Sequence, residues 1–207
     1  MKSDENMKRK EFIKLPAPKL DGTISVEQAL STRRSVREFK PKGLSFGNMA
    51  QLLWSAQGIT ESSGGLRTAP SARALYPLEI ILIASNVEGL DKGIYRYIAS
   101  GHRLSVLKYA ADDNLLSDNV LQQDWVRTAP AVISINCVYS RITERYGERG
   151  IRYSDMEVGL AAENCLLQAV ALSLKGCIIG AFNDMILKEE LLMEADETPV
   201  CLIAVGS

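Results

Sequence analysis

Thr32-Arg33-Arg34-Ser35-Val36-Arg37 sets three guanidinium groups and two hydroxyls within six residues, directly after a short helical pattern. Arginine carries a planar fork of donors that matches a phosphate monoester. In an extended segment successive side chains alternate between two faces. Arg33, Ser35 and Arg37 then share one face, while Arg34 and Val36 take the other. One face can hold an anion and the other can pack or meet solvent. A solvated basic turn has the same composition, so the neighbouring stretches decide between the two.

Upstream, Ser25 and Gln28 form a capping box for a short helix over 26–31. Downstream, Ser45 caps a second helix, on which Met49, Leu52, Leu53 and Ala56 recur at helical spacing and which Gly58 ends. Glu79–Ser85 and Pro130–Tyr139 are apolar runs typical of buried strands. Gly93–Tyr97 and Arg103–Leu107, joined by Ser100-Gly101-His102, predict a β-hairpin. Asp112–Val126 predicts a helix. Residues 141–153, with mixed charge and two glycines, read as an exposed loop or a mobile helical segment. Ser154–Leu174 is apolar nearly all round, the mark of a helix buried centrally or against another chain. Cys177–Ala181 predicts a short strand, Asn183 or Asp184 caps a helix to about Met193, and Pro199–Val205 is a last strand. The expectation is one α+β domain over 23–207 after an N-terminal arm over 1–22. Its core is a central mixed sheet of roughly four or five strands flanked by helices.

The 207 residues suit a single domain. With 46% hydrophobic and 24% charged residues and a net charge of -1, no general field favours nucleic acid or an acidic membrane. No apolar run approaches the ~20 residues of a membrane span. The polar start of the chain lacks the apolar core of a secretory signal. The expected setting is the cytosol, with neither nucleic acid nor membrane as partner. Cys137, Cys165, Cys177 and Cys201 lie in apolar runs without a C-x-x-C pair and read as buried reduced thiols. With His102 the one histidine, no metal site is expected.

There is no P-loop, no strand-linked G-x-G-x-x-G and no G-x-S-x-G elbow. Two other stretches carry chemistry. Thr68-Ala69-Pro70-Ser71-Ala72-Arg73-Ala74-Leu75-Tyr76-Pro77 is rich in small residues between prolines, so backbone can approach a flat ligand and Ser71 can donate to it. Ile178-Ile179-Gly180-Ala181-Phe182-Asn183 ends a strand in Gly-Ala, where outward N–H groups can meet an electron-rich atom. A plain connection and a tight strand-to-helix turn account for the two stretches equally well.

Taken in order, the motifs resemble the nitroreductase-like FMN oxidoreductases, nearest the branch that includes the thiazole/oxazole-forming (azoline) peptide dehydrogenases. The resemblance rests on Arg33–Phe39, Leu52–Gly58, Arg67–Ala72, Leu75–Glu79, Gly93–Tyr97 and His102–Leu104. It continues through Tyr146–Gly150, Glu157–Gly159, Asn164, Gly180–Asp184 and Val205-Gly206. It implies a homodimer with two FMN sites at the subunit interface, NADH or NADPH as reductant, and a small-molecule substrate such as a nitroaromatic or quinone. The azoline-type reaction on a peptide and a flavin-binding module with little turnover are the alternatives. Arg33, Arg34, Ser35 and Arg37 would hold the phosphate, ribityl chain and pyrimidine edge. Pro70, Ser71, Ala72 and Leu75 would line the ring from the other subunit, and Gly180 and Ala181 would place an N–H near flavin N5. Arg73 stands where close relatives tend to have Gly, beside the expected flavin. The flavin does the chemistry, so no side chain is nominated as a catalytic acid or base. The azoline branch also implies a Lys-Tyr pair, and Lys108-Tyr109 is the one such dipeptide here.

Overall fold

Seven strands form one sheet in the order β1-β6-β5-β4-β7-β9-β8, and every named pairing in it is antiparallel. The strands are β1 (Phe12–Lys14), β4 (Leu78–Ala84), β5 (Gly93–Ile98), β6 (Arg103–Tyr109), β7 (Ala131–Cys137), β8 (Lys175–Ile179) and β9 (Thr198–Gly206). A small ribbon, β2 (Ile59–Glu61) with β3 (Leu66–Arg67), stands apart. The expected mixed sheet is therefore corrected. Among the described residues parallel pairing is confined to two isolated bridges, Ser35 with Gly176 and Leu44 with Val87. The helices span α1 (Val26–Thr32), α2 (Phe46–Gln57), α3 (Ser140–Tyr146), α4 (Arg149–Ala171) and α5 (Asp184–Glu190). This computed structural model describes residues 11–110, 116 and 123–207. Most of the helix expected over Asp112–Val126 lies outside them. Where the description resumes, a 3-10 turn covers Asp124–Thr128.

The caps expected from sequence form. Ser25 Oγ accepts from the Gln28 N–H at 3.1 Å, and Ser45 Oγ from the Asn48 N–H at 3.2 Å. Asn183 caps α5, accepting from Ile186 at 3.2 Å. Each satisfies an orphan donor of a first turn. β4, β7 and β9 are buried on both faces for most of their length, as their largely apolar runs require. α2 and α4 cover one face and α5 the other. The stretch expected as an arm is partly built in: Phe12–Lys14 pairs with β6, and Leu15 is buried in the core.

Residues 141–153 fold as α3 and the first turn of α4, so the long helix starts five residues before the expected Ser154. Gly147, at φ 57, breaks the two helices apart. Gly150 lets them close: a Cβ there would sit 2.8 Å from Ile142 Cγ2.

One polar group is held deep at the sheet. Arg96 on β5 makes a bidentate pair with Glu197, the residue before β9, and lies 3.5 Å from Glu79 on β4. Glu197 is 3% exposed. Lys188 of α5 donates to the carbonyls of Ala195 and Glu197 at 2.6 and 2.7 Å, tying the helix to the same corner. All four cysteines are free and buried. Burial pushes the Cys137 thiol up to about 11, and those of Cys165 and Cys201 up to about 12.

Candidate functional site

The segment after α1 runs beside the edge strand β8. Ser35 bridges to Gly176, and the Val36 N–H donates to the Gly176 carbonyl at 3.1 Å. β8 then ends at Ile179 and leads into Gly180 and Ala181, both exposed. A Cβ built at Gly180 meets nothing within 4 Å, so the backbone there is open to a flat ligand. These two residues stand between β8 and α5 rather than in the strand, three or more residues before the first turn of α5.

The four basic-stretch residues divide their roles. Arg33 lies 3.6 Å from Glu163 of α4 through its Nε. Arg37 reaches over the Trp125 ring at 6.0 Å, a long cation–π contact. Ser35 is exposed at the sheet edge. Arg34 turns Nη1 back onto the carbonyls of Ser31 and Arg33, at 3.1 and 2.7 Å. It thus serves the C-terminal end of α1, where orphan carbonyls and the negative end of the helix dipole favour a cation.

The second expected wall, Pro70 to Leu75, lies elsewhere on the subunit, over the N-terminal half of α4. Ala72–Ala74 makes a 3-10 turn, and Arg73, Ala74 and Tyr76 sit at φ 55, 55 and 46. Left-handed backbone costs an L-residue about 1–2 kcal/mol, so the surroundings must hold the loop. They hold it at several points. Arg141 of α3 donates to the Tyr76 carbonyl at 3.1 Å and to Glu79 at 2.6 Å. The Arg67 guanidinium lies 4.4 Å from the Tyr76 ring centroid. The Val138 N–H donates to Pro77 at 2.9 Å. Glu157 of α4 accepts from the Ala72 N–H at 2.7 Å.

Ser71 was expected to donate to a ligand. Its Oγ instead accepts from the Tyr76 N–H at 2.9 Å, and its hydroxyl faces Glu157. Glu157, 4% exposed, and the arginines at 67 and 141 are the residues that sequence reasoning missed as shapers of this wall. A signal existed for Glu157. It shares a helical face with Ser154, Val158, Ala161 and Cys165, and a carboxylate on a buried stripe needs a partner.

Arg73 itself is exposed on the strained turn. Arg73→Gly is expected to raise stability by about 0.5–1 kcal/mol, the left-handed cost less the extra chain entropy that glycine loses. A thermal melt checks it, and a lowered or unchanged midpoint would show that the strain is not carried at this residue.

Lys108-Tyr109 lies on β6, five strands across the sheet from β8. At about 4.8 Å per strand that is roughly 24 Å from the Gly180 edge of the same subunit. Among the described residues no group of three or more His, Cys, Asp or Glu could hold a metal ion. No helix among them is long and apolar enough to cross a membrane.

Comparison with known proteins bears on what this arrangement does. The model of the Nitroreductase family matches residues 30–207. MJ1384 of Methanocaldococcus jannaschii, which bears a nitroreductase name, is 37% identical over 183 residues, covering 88% of this chain and 91% of its own. The microcin B17-processing protein McbC of Escherichia coli is 24% identical over 176 residues, covering 79% of this chain and 65% of its own. A solved structure from Ralstonia eutropha JMP134, also described as a nitroreductase, superposes with a TM-score of 0.80 at 28% identity, over 94% of this chain and 88% of that one. A chain of the E. coli microcin synthetase McbBCD complex, solved with truncated pro-MccB17 bound, superposes with a TM-score of 0.73 at 22% identity, over 93% and 77%.

Proposed function

The chain belongs to the nitroreductase family, and on that premise we propose that it is an FMN-dependent oxidoreductase moving electrons from NADH or NADPH to a small organic acceptor. The observation that carries the reading is the run of Arg33, Ser35 and Arg37 along the β8 edge, which leads to the open backbone of Gly180 and Ala181. The donor set suits FMN. Guanidinium forks meet a phosphate, and exposed backbone beyond β8 can approach a planar ring without steric conflict. When bound, the flavin supplies hydride acceptance and return at N5. The chain's own work is to bind, orient and stabilise charge. Arg33 and Arg37 would hold the phosphate, and Gly180 and Ala181 would offer backbone N–H groups to the ring. Pro70–Leu75 excludes water from one side.

A homodimer fits the outer side of α4. Met156 and Leu160 are exposed there. Toward the C-terminal half of α4 a cleft of about 420 Å³ opens, lined by Val26, Ala29, Trp54, Leu167 and Ala171 among others. α4 also touches both halves of the expected site, the wall at Glu157 and the arginine arm at Glu163. Six residues along a helix is about 9 Å of rise and about a third of a turn in azimuth. The wall and the arm of one subunit therefore face different directions, which suits their serving two different cofactor sites.

The test is the visible spectrum of the purified protein before and after anaerobic NADH or NADPH. Flavin bands that bleach support the reading. A colourless protein that also fails to bind added FMN overturns it. Flavin bands that neither nicotinamide bleaches would leave a flavin carrier with little turnover.

The likeness to McbC, named for microcin B17 processing, supports a second reading, azoline-to-azole oxidation on a peptide. Lys108-Tyr109 lies far across the sheet from Gly180 of the same subunit, so as a catalytic dyad it would have to serve the partner's site. Oxidation of an azoline-bearing peptide, followed by the mass loss of two hydrogens, separates the two readings.

A further inference from the structure

Glu157 is a carboxylate in a place that disfavours charge. It is 4% exposed, on the α4 face that meets the core. Oε1 takes the Ala72 N–H at 2.7 Å, while the buried Oε2 has no partner in hydrogen-bond geometry. The buried Ser154 hydroxyl, one turn earlier on the same helix face, also lacks one. No salt bridge reaches Glu157 among the described residues. The groups around it are few. The loop presents the Ala72 N–H and the Ser71 hydroxyl, and β7 presents the Cys137 thiol, itself neutral. On α4 the neighbouring charge is Asp155, held by the Tyr139 hydroxyl at 2.6 Å. Arg141, from α3, is occupied at Tyr76 and Glu79. Burial raises the carboxyl above its ordinary range, and the two loop donors pull it back down.

A charged acceptor grips an N–H about twice as firmly as a neutral one. The loop it grips contains three left-handed residues that do not stay in place unaided. The Ser71 hydroxyl can serve only one acceptor at a time. An ionised Glu157 offers its unpartnered Oε2 to that hydroxyl, and a protonated one, acting as a donor, turns it away. We propose that Glu157 is a positioning residue for the cofactor wall: its ionised carboxylate fixes Ser71 and Ala72, and its protonation slackens them, so that this one carboxyl sets how tightly the wall closes on the ligand. The inference rests on the flavin reading above. Affinity for FMN then falls as pH drops through the Glu157 transition, which lies above the ordinary carboxylate range.

The experiment titrates FMN by fluorescence quenching into wild type, Glu157→Gln and Glu157→Ala between about pH 5 and about pH 8, across the phosphate's own second ionisation near ~6. Glutamine keeps an acceptor for Ala72 but cannot titrate, so the phosphate contributes equally to both profiles. The expected result is a wild-type affinity that falls more steeply toward low pH than that of Glu157→Gln. Glu157→Ala is expected to be weakened on the order of tenfold at about pH 8, about what one lost charge-assisted hydrogen bond removes, with its gap to wild type narrowing toward low pH. Amide exchange of Ala72 in the ligand-free protein gives a second readout and should accelerate in Glu157→Ala. Parallel pH profiles for wild type and Glu157→Gln, with Ala72 exchange unchanged in Glu157→Ala, overturn the role of Glu157 and leave FMN binding intact. A wild type that binds no FMN at any pH overturns the flavin reading and this inference with it.

Discussion

Glu197→Gln is expected to destabilise the protein by about 3 kcal/mol, the low end of the ~3–5 kcal/mol for breaking a buried ion pair. The cost comes from what is left behind. Arg96 cannot shed its proton, and without the Glu197 charge its nearest carboxylate among the described residues is Glu79, at 3.5 Å and shared with Arg141. The melting midpoint should fall by about 6–12 °C for a domain of this size. The double replacement Arg96→Met with Glu197→Leu should recover most of that loss, because it removes both charges and their desolvation. A single variant that melts with wild type would show that the pair is solvated in the native protein. A double variant no better than the single would show that the corner depends on the hydrogen bonds rather than on charge balance.

Arg33→Ala and Arg37→Ala should each weaken FMN binding by about 1.5–3 kcal/mol, the worth of one hydrogen bond to a charged group, or roughly 10- to 150-fold. Glu163→Gln should act in the opposite direction. It removes the carboxylate that competes for Arg33 at 3.6 Å, an exposed pair of little intrinsic stability. FMN affinity should tighten while the melting temperature stays put. Unchanged flavin affinity in both arginine variants would remove the basic stretch from the binding site, whatever the rest of the protein does. Arg34→Ala makes a useful contrast. With Nη1 turned onto the end of α1, its loss should be felt in helix stability more than in phosphate binding.

Local chemistry made much of this fold readable. Ser25, Ser45 and Asn183 mark helix starts because few residues can feed a first-turn N–H. The runs on β4 and β7 name buried strands because apolar residues dominate both faces, with only Glu79, Ser134 and Asn136 polar. Strand direction was not readable. An unbroken apolar strand looks alike in a parallel and an antiparallel sheet, and only the chain's path, with β9 returning between β7 and β8, decides it. Residues 141–153 allow a loop or a helical segment from sequence, and the structure takes the helical one. Their charges suit a surface, and they are on one, as the outer sides of the short α3 and of the first turn of the long α4, which meet at Gly147. The site divides the same way. Arg33, Ser35 and Arg37 announce themselves by type and spacing. What shapes the Pro70–Leu75 wall does not, because Glu157 and Arg141 come to it from more than sixty residues away, and distance in sequence hides such a tie.

The four buried thiols have a practical consequence. A thiolate reacts and a buried thiol does not, so an alkylating reagent finds no target in the native molecule and marks only chains that have opened. Cys177 lies on the edge strand, Cys137 and Cys201 on interior strands, and Cys165 inside α4 against the core. The order in which the four are modified is therefore a map of opening, from edge to centre. The protein carries, without any engineered label, its own clock for local and global unfolding.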